Sequence, residues 1–215
     1  MTQPFRIRLY QMDAVVGDFD ANLQKIARAA DQARADGISM LVVPELALTG
    51  YPPEDLLLRP ALLHKLTAAD LMLQEISHDL TLCVGAPSAA VVQTSDWAFG
   101  NDSARPASLL NSLLIYRNGE HVFSYHKQSL PNYQVFDERR YFVAGTQSMV
   151  CEIDGLRLGL LVCEDVWVPD IVEATCRLGA DFILVVNASP FAEGKFGERL
   201  DHLKHRAGVN QVPIA

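Results

Sequence analysis

Apolar and polar positions alternate over residues 6–12 with the period of two of a β-strand. The period then changes: Leu23, Ile26, Ala30 and Ala33 fall on one face of a helix over 22–35, which Gly37 closes. A short apolar strand over 39–43 stops at Pro44, whose missing N–H interrupts a ladder, and an amphipathic helix over 62–76 leads into a strand over 81–85. Two hairpins follow. Strands over 110–116 and 121–125 flank Asn118-Gly119, strands over 149–153 and 156–162 flank Asp154-Gly155, and both corners suit the positive φ of a tight hairpin turn, of type I′ at Asn118-Gly119. The pattern closes with a helix over 169–178, a strand over 182–186, a polar loop through Lys195 and a helix over 198–207. The β-α-β-α-β opening predicts helices layered on sheet, and the hairpins mean that the strands are not all parallel. Residues 93–107, with Ser, Asp, Gly, Asn and Pro, read as a mobile surface loop. Residues 212–215 read as the opening of one more strand, so the chain is expected to be a fragment of something longer.

Four predicted strand ends carry polar side chains: Glu45, Lys127, Cys163, and Asn187 with Ser189. In layered α/β folds such groups converge on a crevice. Cys163 ends the apolar run 158–162 and is followed at once by Glu164 and Asp165, a junction that suits a reactive thiol at a sharp strand exit; the competing reading is a core cysteine. A carboxylate at Glu45 can take the thiol proton and later activate water against a thioester. A fixed cation at Lys127, with a backbone N–H beside Cys163, can stabilise the tetrahedral oxyanion. Taken singly, Glu45 could equally cap a helix and Lys127 could be a solvated surface lysine.

Composition narrows the class. With 215 residues, 49% apolar and 20% charged, the chain suffices for one domain with its own core. A net charge of −8 argues against nucleic acid or an anionic membrane as partner, and no apolar stretch is long enough to span a bilayer. Cys83, Cys151, Cys163 and Cys176 show neither CxxC pairing nor finger spacing, which fits a reduced cytoplasmic setting without a disulfide framework. His202 and His205 lie three apart on one helix face with no third ligand evident, so no metal site is expected.

The segments Pro44-Glu45-Leu46-Ala47-Leu48-Thr49-Gly50-Tyr51-Pro52-Pro53-Glu54-Asp55, His126-Lys127, Leu130-Pro131-Asn132-Tyr133, Phe136-Asp137-Glu138-Arg139-Arg140-Tyr141-Phe142 and Cys163-Glu164-Asp165-Val166-Trp167 resemble the nitrilase, or carbon-nitrogen hydrolase, superfamily. Within it, Gly50 to Leu57 with the Leu-Pro-Asn-Tyr and Val-Phe-Asp-Glu segments is similar to the glutaminase domain of glutamine-dependent NAD synthetases. The resemblance covers nearly the whole chain. It implies an α/β fold of α-β-β-α sandwich type in four layers, truncated at the C-terminus, and a triad that hydrolyses the side-chain amide of glutamine. Glu45 would be the base, Lys127 the oxyanion-stabilising cation and Cys163 the nucleophile. Tyr133, Phe136, Glu138, Glu164, Trp167, Ser189 and Lys195 would form the substrate pocket, Glu138 as a second acid near the triad. A free amino acid carries both charges, and Lys195 with Glu164 can pair each of them.

The resemblance also implies a partner synthetase domain that uses ATP and Mg, an ammonia channel to it, and a homo-oligomer; no cofactor is implied for residues 1–215 themselves. Two rivals remain: a stand-alone hydrolase of another amide, a nitrile or a carbamoyl group, and a catalytically silent assembly domain.

Overall fold

The computed structural model describes residues 4–89 and 108–215, so the loop expected over 93–107 lies outside the described residues. Among the described residues eight strands form two sheets. β1 (Ile7–Leu9), β2 (Met40–Val42), β3 (Thr81–Ala89), β4 (Leu109–Arg117) and β5 (Glu120–His126) lie side by side in that order, the first three parallel and the rest antiparallel. β6 (Val150–Ile153), β7 (Leu156–Val162) and β8 (Phe182–Val186) form the second sheet, β6 antiparallel and β8 parallel to the central β7.

Alternation along the strands builds the layers. Leu41, Val43, Leu82, Val84, Leu114 and Tyr116 point to one side of the five-stranded sheet, where they meet Leu23, Ile26 and Ala30 of α1 (Phe19–Ala35) and Ala69 and Leu73 of α2 (Ala61–Ile76). Their neighbours Met40, Val42, Cys83, Leu113 and Ile115 point to the other side, into a core shared with Leu158, Leu160, Val162, Ile183 and Leu184 of the second sheet. α3 (Pro169–Arg177) packs on β7, and α4 (Lys195–Asn210) packs beside α3. The result is the α-β-β-α order of layers. Both faces of the central strands are buried, which is why β3 and β4 read as nearly continuous apolar runs.

The structure lengthens several expected elements. α1 starts at Phe19 because the Asp18 side chain accepts a hydrogen bond from the Ala21 N–H at 3.0 Å and so satisfies one of the free donors of the first turn. α4 starts at Lys195 and ends at Asn210, so Lys195 opens the helix rather than closing the loop before it. β3 runs on to Ala89 through Pro87; past Cys83 its only strand neighbour among the described residues is β4, so a residue without an N–H interrupts no described ladder on the other edge. Both hairpin corners adopt the expected positive φ, at Asn118 and Gly119 and again at Asp154 and Gly155. Residues 212–215 extend beside β8 in parallel, with the Ile183 N–H donating to the Pro213 carbonyl at 2.8 Å and the Ala215 N–H to the Ile183 carbonyl at 3.0 Å. Three single 3₁₀ turns, Glu54–Leu58, Glu138–Arg140 and Cys163–Trp167, are too short to display a period and are invisible to pattern reading.

Candidate active site

Glu45, Lys127 and Cys163 come from three strand ends and meet at the rim where the two sheets face each other. Glu45 follows β2 by three residues, and its backbone lies directly on β3 at Gly85. A Cβ on Gly85 would sit 2.3 Å from the Pro44 carbonyl oxygen and 2.5 Å from the Glu45 Cα, so only glycine admits this approach. Gly145 plays the same part beneath Lys127: a Cβ there would lie 2.2 Å from the His126 carbonyl oxygen, and the Gly145 N–H donates to the Lys127 carbonyl at 2.8 Å. Cys163 opens the turn after β7 with φ +46, a left-handed conformation uncommon for a residue with a side chain.

The side chains form a buried charge cluster. Lys127 Nζ donates to Glu45 Oε1 at 2.7 Å and to Glu138 Oε1 at 2.8 Å, with Glu45 and Lys127 each 1% exposed. Tyr51 Oη donates to the same Glu138 oxygen at 3.0 Å. Glu45 also accepts from Asn111 Nδ2 at 2.8 Å on Oε1 and from the Ala188 N–H at 3.1 Å on Oε2. The thiol of Cys163 lies 3.7 Å from Ser189 Oγ.

Protonation follows from these neighbours. Burial, reinforced by the negative charge of Glu45, pushes the Cys163 thiol well above the usual range, with Lys127 opposing, so the resting sulfur carries its proton. Burial alone would pull the Lys127 ammonium down, but Glu45, Cys163 and Glu138 together outweigh it and hold it protonated. Burial raises the Glu138 carboxyl, Lys127 opposes that rise, and the nearby Glu45 adds to it. A protonated thiol beside a carboxylate and under the influence of a fixed ammonium can serve as a nucleophile that ionises only as a base takes its proton.

Above the thiol lies a cleft of about 390 Å³. Tyr133, Phe136, Glu164, Trp167, Ser189 and Lys195 all line it. Tyr133 Oη donates to Glu164 Oε1 at 2.9 Å, and burial and Glu164 raise that phenol to about 12. Phe136 meets the Tyr133 ring edge-on at 5.5 Å. Trp167 stacks on His202 at 4.1 Å, so one of its faces is already covered by protein. Lys195 Nζ is paired with Glu198 Oε2 at 2.7 Å. Glu138 stands apart from this cleft, behind Lys127, and borders a second cavity of about 220 Å³ with Tyr51 and Phe136. Of the four polar strand ends, the last divides: Ser189 faces the thiol, whereas Asn187 is exposed, bonds back to the Val185 carbonyl and leaves the Ala188 N–H to reach Glu45.

Sequence reasoning missed the supports of the cluster. Asp165 accepts from the Val162 N–H at 3.1 Å, the Gln128 N–H at 3.0 Å, the Ser129 N–H at 2.7 Å and Tyr125 Oη at 2.8 Å, tying the strand before Cys163 to the loop after Lys127. Its signal was a charged residue directly inside an apolar junction. Asn111 left a similar trace, an amide in the middle of the apolar strand β4. Among the described residues no group of three or more His, Cys, Asp and Glu could hold a metal ion, and no helix is long and apolar enough to cross a membrane.

Comparison with known proteins gives the chain its relatives. Glutamine-dependent NAD(+) synthetases from Acinetobacter baylyi and Xylella fastidiosa are 36% and 37% identical over 97% and 100% of this chain, which spans only 37% of the length of either. The structure of the glutamine-dependent NAD+ synthetase from Acinetobacter baumannii in complex with ADP superposes with a TM-score of 0.88 at 33% identity, over 98% of this chain and 37% of that one. A variant of the amidase from Nesterenkonia sp. AN1, in which the acetamide moiety of fluoroacetamide is covalently added at the active site cysteine, superposes with a TM-score of 0.80 at 28% identity, over 98% and 76% of the two chains. Residues 6–215 match the sequence pattern of the carbon-nitrogen hydrolases, and the chain belongs to that family.

Proposed function

We propose that residues 1–215 hydrolyse the side-chain amide of glutamine and release ammonia. The observation that carries this reading is a buried, protonated thiol at Cys163, influenced by Glu45 and by the Lys127 that Glu45 holds, beneath a cleft that offers Glu164 to an ammonium and Lys195 to a carboxylate. Glu45 takes the Sγ proton as sulfur attacks the amide carbon. The carbonyl π electrons move to oxygen, where Lys127 and the backbone N–H after Cys163 balance the charge. Glu45 returns the proton to the amide nitrogen, the C–N bond breaks, ammonia leaves and a thioester remains. Glu45 then deprotonates a water that attacks the thioester, and its proton restores the thiol as glutamate departs.

The names of the longer relatives support a second step outside this chain, glutamine-dependent NAD synthesis. As the sequence resemblance implies, we place that step in a synthetase domain that uses ATP and Mg²⁺ to consume the ammonia, reached through a channel, in a homo-oligomeric cytoplasmic enzyme. No step of the triad runs through those cofactors. The amidase neighbour favours one rival, hydrolysis of a simpler amide, because the cation at Lys195 is already shared with Glu198. Incubation with glutamine, asparagine, propionamide and a simple nitrile, followed by ammonia assay, separates these readings. Release chiefly from glutamine, absent in Cys163→Ala, is the expected result; equal or better turnover of propionamide would hand the site to the rival. No turnover of any of them, and no adduct with a glutamine-like diazo-ketone, would leave a silent domain.

A further inference from the structure

Both catalytic oxygens of Glu45 are held, and the way they are held singles out one residue beyond the triad. Oε1 accepts from Lys127 Nζ at 2.7 Å and from Asn111 Nδ2 at 2.8 Å, which uses both of its lone-pair directions. Among the described residues Oε2 accepts just one conventional hydrogen bond, from the Ala188 N–H at 3.1 Å, so one direction on Oε2 remains for the thiol proton. We infer that Asn111 is a positioning residue that, with Lys127, pins Oε1 and thereby makes Oε2 the atom that takes the proton from Cys163.

Asn111 is well built for this. It is fully buried on β4, and its own carbonyl accepts the Lys127 N–H at 2.8 Å, so one residue holds the base by its side chain and the cation by its backbone. On the opposite face of the same strand pair Ser112 Oγ bonds His126 Nδ1 at 2.8 Å, which locks the register that sets Asn111 beside Lys127. The amide donates without exchanging a proton, so it orients Glu45 and leaves the charge balance with Lys127 and Glu138 unchanged. Asn111 Oδ1 has no partner among the described residues. A leucine, like the residue before it, would bury here without an orphaned oxygen, so core packing alone does not account for an amide at this position.

This inference rests on the hydrolase reading, and its test separates the two. In the full chain, kcat and KM for ammonia release are measured between pH 5 and 8 for wild type, Glu45→Gln, Asn111→Leu and Asn111→Asp, with circular dichroism as a check on folding. Asn111→Leu is expected to lose about 10- to 100-fold in kcat, the worth of one hydrogen bond to a charged group, with KM within about threefold. Asn111→Asp keeps the shape and donates only while the new carboxyl is protonated, so its kcat relative to wild type should fall steadily as pH rises. A merely structural asparagine would show the pH effect in the folded fraction read by circular dichroism, with kcat per folded molecule in constant ratio to wild type. Turnover within about threefold of wild type in Asn111→Leu, or a flat ratio in Asn111→Asp, overturns the inference while an inactive Glu45→Gln keeps the hydrolase reading. An inactive wild type overturns both.

Discussion

Lys127 Nζ lies 2.7 Å from Glu45 Oε1 across 82 positions of sequence, and neither side chain is reached by solvent. With Glu138 on its other side, the ammonium separates two buried carboxyl groups. Removing it is therefore more than the loss of an oxyanion partner. Lys127→Ala should abolish ammonia release, by more than about a thousandfold, and lower stability by roughly 3–5 kcal/mol because two carboxyls are left buried without a counter-charge. Urea unfolding and ammonia assay on the same preparation check both, and activity within tenfold of wild type would sink the assigned role.

Gly85 has no reacting group of its own and offers a test through shape alone. Since an added Cβ would meet the backbone at Pro44 and Glu45, Gly85→Ala must push the base outward. A cost of about 1–3 kcal/mol in stability and roughly a hundredfold in kcat is expected, measured by thermal melting and steady-state kinetics. Unchanged kcat would mean that the base tolerates displacement.

Asp165 sets a pH dependence whose two signs oppose. Burial lifts its carboxyl from 3.8 to about 6 despite the donors around it. The folded state therefore holds this proton more tightly than the unfolded state, and the contribution of this group to stability falls as pH rises from about 4 to 6 and is constant above. Activity should move the other way: below about pH 6 the protonated carboxyl can no longer accept from all four donors, and the tie between Cys163 and the loop after Lys127 loosens. Urea midpoints and kcat from pH 4 to 8 test the pair of trends, and Asp165→Asn should lack the stability slope.

Under the proposed function, Lys195 and Glu198 set how the cleft treats a charged substrate. Their pair is about half exposed, so its own contribution to stability is small. Lys195→Ala should raise KM for glutamine about tenfold and leave KM for propionamide unchanged, whereas Glu198→Gln should lower KM for glutamine by freeing the cation. Equal effects on both amides would remove Lys195 from substrate recognition.

Local order was legible where it rests on local cause. The strand and helix periods, the two turns at Asn118-Gly119 and Asp154-Gly155, and the stop at Pro44 depend on side chains within a few residues of each other. Element ends were less legible: α1 begins a turn early because of one Asp18 contact, and β3 runs past Gly85 because of what lies beside it, not within it. The single turns were missed because three to five residues carry no period.

For the site, the sequence by itself determined the chemical types: a thiol, a carboxylate and a cation, each after an apolar strand, with acids and aromatics following in recognisable segments. Only the tertiary structure decided what each can do. Burial and the approach of Glu45 keep the Cys163 proton in place, Lys127 stays charged because two carboxyls surround it, and Asn111, Ala188 and Asp165 fix the atoms. Those are distances and exposures between residues far apart in the chain, set by how two sheets pack, and no period or composition records them.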